Sequence, residues 1–304
     1  MEKIYDMIIV GGGPGGYTAA LYGARAGLDV LIIERLSAGG QMNLTGQIDN
    51  YPGFPEGVDG FQLSYNMQQQ AERFGARTNY AEVLKLELEA DVKKVITNEG
   101  EYLARSVVFS TGANPRQLGV EREQEMIGRG VGYCAHCDGG FYRGKTVAVV
   151  GGGNSAVAEA LYLSRIAKEV ILIHRRDSLR ATQIYHKSLM AAPNIRIVWN
   201  SEVVQLLGED LLEGVKVKNL LSAEEEILNV QGLFVSIGRK PATELVKEQL
   251  TLDSAGYIMA GENTQTNLPG VYAVGDVRTK QLRQIVTAVA DGAMAAHMAE
   301  QYLS

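Results

Sequence analysis

The sequence predicts an α/β protein made of two Rossmann-like dinucleotide-binding domains, one inserted into the other. Two glycine-rich strand–turn–helix units carry this expectation, at residues 7–34 and 146–176. A repeated strand exit adds to it: "VVFSTGANPR" and "LFVSIGRKPAT" share one form and each carries a proline, Pro115 and Pro241. At 304 residues the chain also exceeds one average core, so two domains is the natural division.

The first unit begins with the short apolar run "MIIV", a strand. "GGGPGG" follows, with Gly11, Gly13 and Gly16 in GxGxxG spacing and Pro14 among them. Gly11 permits the tight turn, Gly13 lets the backbone approach a pyrophosphate, and Gly16 lets the helix pack close to the strand. The helix "YTAALYGARAG" turns its N-terminus toward negative charge. The next strand, "VLIIE", ends in Glu34, which can accept hydrogen bonds from a ribose 2′-hydroxyl. A glycine-rich turn with a merely solvated acid is the alternative.

The second unit repeats the plan with "TVAVV", then Gly151, Gly153 and Ala156 in GxGxxA spacing, and the helix "VAEALYLSRIA". Its second strand exits through His174, Arg175 and Arg176, with Arg180 four residues further on. An acid repels a 2′-phosphate, whereas guanidinium groups pair with one through charge-assisted hydrogen bonds. The first site therefore suits an unphosphorylated adenosine, as in FAD, and the second suits NADPH. A solvated basic corner is the competing interpretation of the arginines.

Between the units lie the loop-rich stretch "AGGQMNLTGQIDNYPGFPEGVDG", a helix near 60–75 and strands near 77–110. One strand exit holds Thr111-Gly112, and a later strand, "GVYAVGDV", leads through Gly275-Asp276 into the last helix. A split first domain accounts for this order, with residues 1–114 and 246–304 enclosing an inserted domain at 115–245.

A net charge of -6 and a pI near 5.4 argue against nucleic acid or an anionic membrane as the main partner. "MIIVGGG" reads as a strand from residue 7, so no signal peptide fits. The C-terminal "IVTAVADGAMAAHMAEQYL" carries Asp291, His297 and Glu300, which marks an amphipathic helix and not a membrane span. A cytoplasmic protein is expected, where a CxxC pair is more often catalytic or metal-binding than structural.

The two cysteines of the chain, Cys134 and Cys137, stand in "CAHC" just before the second unit. A zinc site needs about four ligands, and only His136, Asp138 or distant histidines could add to them. Two inert buried thiols form a second reading. The third is a redox disulfide, since i, i+3 helical spacing brings the Cα atoms near disulfide distance and a helix N-terminus favours the thiolate. Beside a flavin site and an NADPH site, the third ties the units into one electron path.

These pieces resemble the low-molecular-weight, NADPH-dependent thioredoxin reductases over nearly the full length. "GGGPGGYTAALYGARAG", "CAHCDG", "GGGNSAVAEALYLS", "HRRDSLRA", and "GVYAVGDV" followed by Arg283-Gln284 carry the resemblance. The CxxC lies in the NADPH domain, unlike that of the glutathione reductase branch. The resemblance implies a thioredoxin-disulfide reductase and a homodimer. It implies that Gly11, Gly13, Pro14, Gly16, Glu34, Gly40, Gln41, Asn50, Thr111, Gly112, Gly275, Asp276, Arg283 and Gln284 hold FAD. NADPH would lie on Gly153, Asn154, Ser155, His174, Arg175, Arg176 and Arg180. Cys137 would face the flavin, Cys134 would attack the protein substrate, and Asp138 would serve as general acid or base. That last role requires a carboxyl raised by burial, and helix capping is the alternative for the same residue.

Two departures from the family pattern bear on the partner. His136 replaces the small or hydroxyl residue usual inside the CxxC. Gly140 stands where many relatives have an aromatic, which removes part of the patch expected to receive the partner. Thioredoxin, a glutaredoxin-like protein and a peroxidase-linked carrier all remain open as partners. A flavin-dependent dithiol oxidase would keep FAD and the CxxC, but "HRRDSLR" argues against it because an oxidase does not use NADPH. A nucleotide sensor without turnover would not need the CxxC beside Asp138.

Overall fold

The computed structural model describes residues 3–44 and 47–304, so Thr45 and Gly46 of the loop-rich stretch lie outside the described residues. The described helices are α1 (Pro14–Arg25), α2 (Gly60–Arg73), α3 (Ala135–Asp138), α4 (Asn154–Leu163), α5 (Gln183–Ala191) and α6 (Ile285–Leu303). The chain divides into two compact units, one of Met1–Asn114 with Lys240–Ser304, the other of Pro115–Arg239.

In the first unit, apolar runs form parallel strands in the order Arg77–Tyr80, Val30–Glu34, Ile4–Val10, Gly100–Phe109, and Val271–Ala273 pairs with the last of these. Antiparallel strands Lys93–Thr97 and Val83–Glu87 extend the sheet from the other part of Gly100–Phe109. The strands alternate faces. Ile8, Val10, Leu31 and Ile33 pack into one apolar cluster with Val246 and Ile258, while Met7, Ile9, Val30 and Ile32 pack into another with alanines of α1 and α6. Continuous apolar strands buried on both faces are what a parallel sheet requires.

Register matters for function here. Val10 pairs with Ile33 and Phe109, and Phe109 pairs with Ala273, so these strands finish along one edge. The turns that leave this edge hold the Gly11–Gly16 loop, Glu34, Thr111-Gly112 and Gly275-Asp276. Open α/β sheets bind ligands at this carboxyl edge.

The second unit repeats the design with an all-parallel sheet, in the order Val131–Gly132, Gly232–Val235, Thr146–Val150, Glu169–Ile173, Ile195–Val198. A three-stranded antiparallel sheet, Ser201–Leu207, Gly214–Asn219 and Glu225–Leu228, covers one side through Val203, Leu206, Val215, Val217 and Leu228. The class is therefore α/β with two Rossmann-like halves.

One expected boundary differs. The sequence places the return to the first unit at 246, whereas the chain rejoins it at Lys240. Long-range bonds move the boundary. Ala242 N–H donates to the Gly112 carbonyl at 3.0 Å, Thr111 Oγ1 donates to the Ala242 carbonyl at 2.8 Å, and Thr243 Oγ1 donates to the Gly256 carbonyl at 2.9 Å. No local composition signal announces such pairing.

Among the described residues, no helix is long and apolar enough to cross a membrane. The apolar C-terminal stretch is α6, and it buries Ala288, Asp291, Gly292, Ala295, Ala296 and Ala299.

Candidate active site and dinucleotide cradles

Cys134 is the N-cap of α3, a single helical turn, and both Cys137 and Asp138 donate their N–H to its carbonyl at 3.1 Å. That turn brings the two Cα atoms to 5.3 Å, and the sulfurs are joined as a disulfide. The helix docks on α4 through its side chains. His136 stacks on Tyr162, with ring centroids 4.4 Å apart, and a Cβ on Gly139 would strike Tyr162 at 2.9 Å. One face of the imidazole is thereby desolvated, which holds its pKa below the ordinary value, while the rest stays exposed.

Asp138 follows Cys137 and closes α3. Burial pushes its carboxyl up to about 6. Its oxygen lies against Gly132, where a Cβ would approach it to 3.1 Å. The capping alternative is not what the structure shows, because the side chain makes no cap hydrogen bond. A carboxyl that holds its proton near pH 6 can deliver it to a thiolate and recover it from a thiol. Among the described residues, no group of three or more His, Cys, Asp or Glu is arranged to hold a metal ion.

In the first unit, the residues expected to hold FAD converge on the carboxyl edge of the sheet. Gly11 has φ +102°, and a Cβ there would meet the Ser110 carbonyl at 2.5 Å. Gly13 caps α1 in extended geometry, and Pro14 opens the helix without a lost donor. Glu34 accepts the Gly12 N–H at 2.7 Å and the Leu36 N–H at 3.1 Å, which leaves each oxygen a further lone pair. Gly40 lies across from Gly13, Gln41 donates to the Ala113 carbonyl at 2.5 Å, and Asn50 donates to Gln284 Oε1 at 2.9 Å. Gln284 also caps α6. Thr111 and Gly112 are engaged with Ala242.

Two observations test whether a flavin nucleotide fits. The backbone above Gly13 is open: a Cβ there would meet nothing nearer than Ser110 Oγ at 4.0 Å, so a pyrophosphate can approach it. Arg283 lays its guanidinium over the Tyr257 ring at 4.1 Å, and its Nε is buried with no hydrogen-bond partner. A buried donor of this kind awaits an acceptor. The residues fit the group.

In the second unit, Gly151 at φ +149° meets the Ser236 carbonyl, and Gly153 caps α4 over open space. Asn154 Oδ1 accepts the Thr182 N–H at 2.8 Å, and Ser155 is exposed beside it. Arg175, Arg176 and Arg180 are all exposed, and Arg180 N–H donates to the Gly152 carbonyl at 2.7 Å. The open turn and the adjoining arginines fit a phosphorylated nucleotide. His174 departs from expectation. It is buried, it bonds the Ser178 carbonyl at 3.0 Å, and a Cβ on Gly152 would fall 2.2 Å from its ring. It supports the turn from below and does not present itself beside the arginines.

Sequence reasoning missed Asp291. The residue stands out in the sequence only as a polar break in an apolar helix, and that is the available signal. The structure shows its carboxylate accepting the Gly275 N–H at 2.8 Å.

A family model for "Pyridine nucleotide-disulphide oxidoreductase" matches residues 5–292. The chain is 43% identical to a thioredoxin reductase of Peptoclostridium acidaminophilum, over 100% of this chain and 98% of that one. It is 45% identical to a thioredoxin reductase of Streptomyces clavuligerus, over 100% of this chain and 95% of the other. The crystal structure of the Streptococcus pyogenes thioredoxin reductase superposes with a TM-score of 0.91 at 42% identity, covering 100% of this chain and 99% of that one. The protein is an oxidoreductase that uses a flavin and a pyridine nucleotide, and Cys134–Cys137 is its redox disulfide. The chain belongs to the pyridine nucleotide-disulphide oxidoreductase family, in its low-molecular-weight thioredoxin reductase branch.

Proposed function

We propose that the protein is an NADPH-dependent reductase of the disulfide in thioredoxin or a thioredoxin-like protein, with FAD in the first unit and NADPH on the second. The observation that carries this reading is the Cys134–Cys137 disulfide beside a carboxyl raised to about 6, in the unit that also bears the arginine-flanked turn. FAD held in the first unit would supply two-electron transfer between NADPH and a disulfide. The glycine turn at 11–16, Glu34, Gly40, Gln41, Asn50, Gly275, Asp276, Arg283 and Gln284 would hold that cofactor. Thr111 and Gly112 would border it. Gly153, Asn154, Ser155, Arg175, Arg176 and Arg180 would hold NADPH.

Two electrons break the Cys134–Cys137 bond, and Asp138 supplies a proton to one of the sulfurs released. The Cys134 thiolate then attacks a sulfur of the partner's disulfide, forming a mixed disulfide and expelling the partner's other thiolate. Cys137 attacks Cys134 in turn, which restores the ring and frees the partner as a dithiol. Asp138 recovers its proton as Cys137 attacks, so oxidised partner, two electrons and two protons enter and the partner leaves as a dithiol.

The pair must meet both a flavin and a macromolecule, and no single rigid arrangement serves both. We propose that the second unit turns on the first about residues 113–117 and 238–243. A fluorescent label on each unit should then report two distances during turnover, and one fixed distance would refute the motion. A homodimer in the cytoplasm completes the proposal, supported by family resemblance and by the fit of a catalytic dithiol to a reducing compartment.

Anaerobic reduction tests the whole reading. The holoprotein should carry one FAD per chain and take up four electrons, two in the flavin and two in the disulfide. Uptake of two would remove the relay. NADPH consumption should follow addition of thioredoxin and not of oxidised glutathione.

A further inference from the structure

Asp291 and Gly292 lie side by side on α6, and each meets a different glycine turn. The Asp291 carboxylate accepts the N–H of Gly275, which has φ +71° and opens the Gly275-Asp276 turn. Gly292 faces the other turn. A Cβ there would lie 2.2 Å from the Gly15 carbonyl and 2.9 Å from Ala19 N, so α6 rests directly on the backbone of α1. Gly15 returns the contact, since its own Cβ would fall 3.1 Å from the Ala288 carbonyl and 3.0 Å from Val274.

The carboxylate is itself fixed from two further directions. Arg278 grips it with Nε at 2.9 Å and a terminal nitrogen at 2.7 Å, and Lys280 donates at 2.6 Å. Arg278 spends its remaining reach on the carbonyls of Ala260 and Thr279, both near 3.0 Å. Asp291 and Arg278 are both buried. Burial alone would push the carboxyl up, and the bonds from Arg278 and Lys280 outweigh it, so the group stays below the usual carboxylate range. A buried charge held by two cations and one backbone donor has a single position available to it.

We propose that Asp291 is a positioning residue for flavin binding, which together with Gly292 registers the Gly275-Asp276 turn against the Gly11–Gly16 turn. Two halves of one cradle, more than 250 residues apart in the chain, are thus set by adjacent residues of one helix. The proposal rests on the assignment of FAD to the first unit.

The test uses holoprotein and reads FAD release on dilution by the recovery of flavin fluorescence, with Tm recorded across a range of added FAD. Asp291→Asn keeps the size of the side chain and removes the charge that holds the turn. Asp291→Glu keeps the charge and displaces the acceptor by one methylene. Asp291→Asn should weaken FAD at least tenfold and Asp291→Glu at least threefold. The Tm at saturating FAD should recover toward that of the parent only at proportionately higher FAD. A purely structural role would instead lower Tm equally at every FAD concentration and leave the dissociation constant within twofold, and that result overturns the proposal. Should Asp291→Asn fail to fold, Asp291→Glu decides by the same two readings. A parent protein that bound no FAD would refute the cofactor assignment and not this positioning role alone, so the two failures are distinct.

Discussion

Gly16 stands so close to Gly11 that a Cβ on Gly16 would lie 2.1 Å from the Gly11 carbonyl oxygen. Gly13, two residues from Gly11 in the same loop, has open space where its Cβ would be. Both glycines belong to one motif, yet they answer to different demands. Gly16 serves helix–strand packing and Gly13 serves a ligand.

Substitution should separate the two. Gly16→Ala forces the backbone to move and should cost about 1–3 kcal/mol of stability even without cofactor. Gly13→Ala should fold with nearly parental Tm in FAD-free form but lose FAD affinity at least tenfold. Thermal unfolding with and without FAD measures both. Equal behaviour of the two variants would refute the division.

Asp138 gives a stability prediction with a definite sign. Its folded carboxyl is raised from 3.8 to about 6 by burial. Across that window the unfolded chain releases the proton while the folded one retains it, so stability falls as pH rises and stays lower above it. Asn carries no such cost. Asp138→Asn should therefore gain Tm relative to the parent between pH 4 and 7, while its turnover drops by about 10²–10⁴ through loss of proton transfer. A Tm difference independent of pH would show that the carboxyl is not raised.

Arg175 and Arg176 should select the phosphorylated nucleotide. Each charge-assisted hydrogen bond contributes about 1.5–3 kcal/mol, roughly tenfold or more in affinity. Replacing both by Ala should raise KM for NADPH by about 10²-fold or more on that basis, and leave KM for NADH nearly unchanged. Steady-state kinetics with the two nucleotides decide it, and parallel losses would mean the arginines do not read the phosphate.

The two cysteines should fail differently. Cys137→Ser leaves Cys134 able to attack and unable to be resolved, so it should accumulate a stable mixed disulfide with the partner, visible on a non-reducing gel. Cys134→Ser should trap none, and its Cys137 thiolate should add long-wavelength absorbance when flavin is bound. Both should stop partner reduction and still oxidise NADPH with an artificial electron acceptor. The opposite trapping pattern would exchange the roles.

Much of this arrangement was legible because steric demands are local. Gly11 at φ +102° and Gly151 at φ +149° sit where L side chains are strained, and a glycine followed by a helix declares that in a few letters. The fold class and the CxxC were legible for the same reason. His174 was not. Whether its ring turns outward with Arg175 or inward depends on Gly152, Ser178 and an edge contact with Trp199 at 6.2 Å, which belong to separate elements. The boundary at Lys240 was hidden likewise, because Ala242 finds its partner at Gly112. Asp291 stood out as a charge in an apolar helix, but its partners Gly275, Arg278 and Lys280 could be identified only in three dimensions.

The split first unit sets an order of assembly on the ribosome. Every strand of the inserted unit has been translated once Arg239 has emerged. The first unit then still lacks Val271–Ala273, which pairs with Gly100–Phe109, and α6, which covers the face shared with α1. The apolar cluster that holds Val108 and Ile9 waits incomplete until Ala295, Ala296 and Ala299 of α6 arrive. A premature stop between Lys240 and Ile285 thus leaves a finished inserted unit attached to an apolar sheet that lacks α6, a species suited to capture by chaperones and proteases.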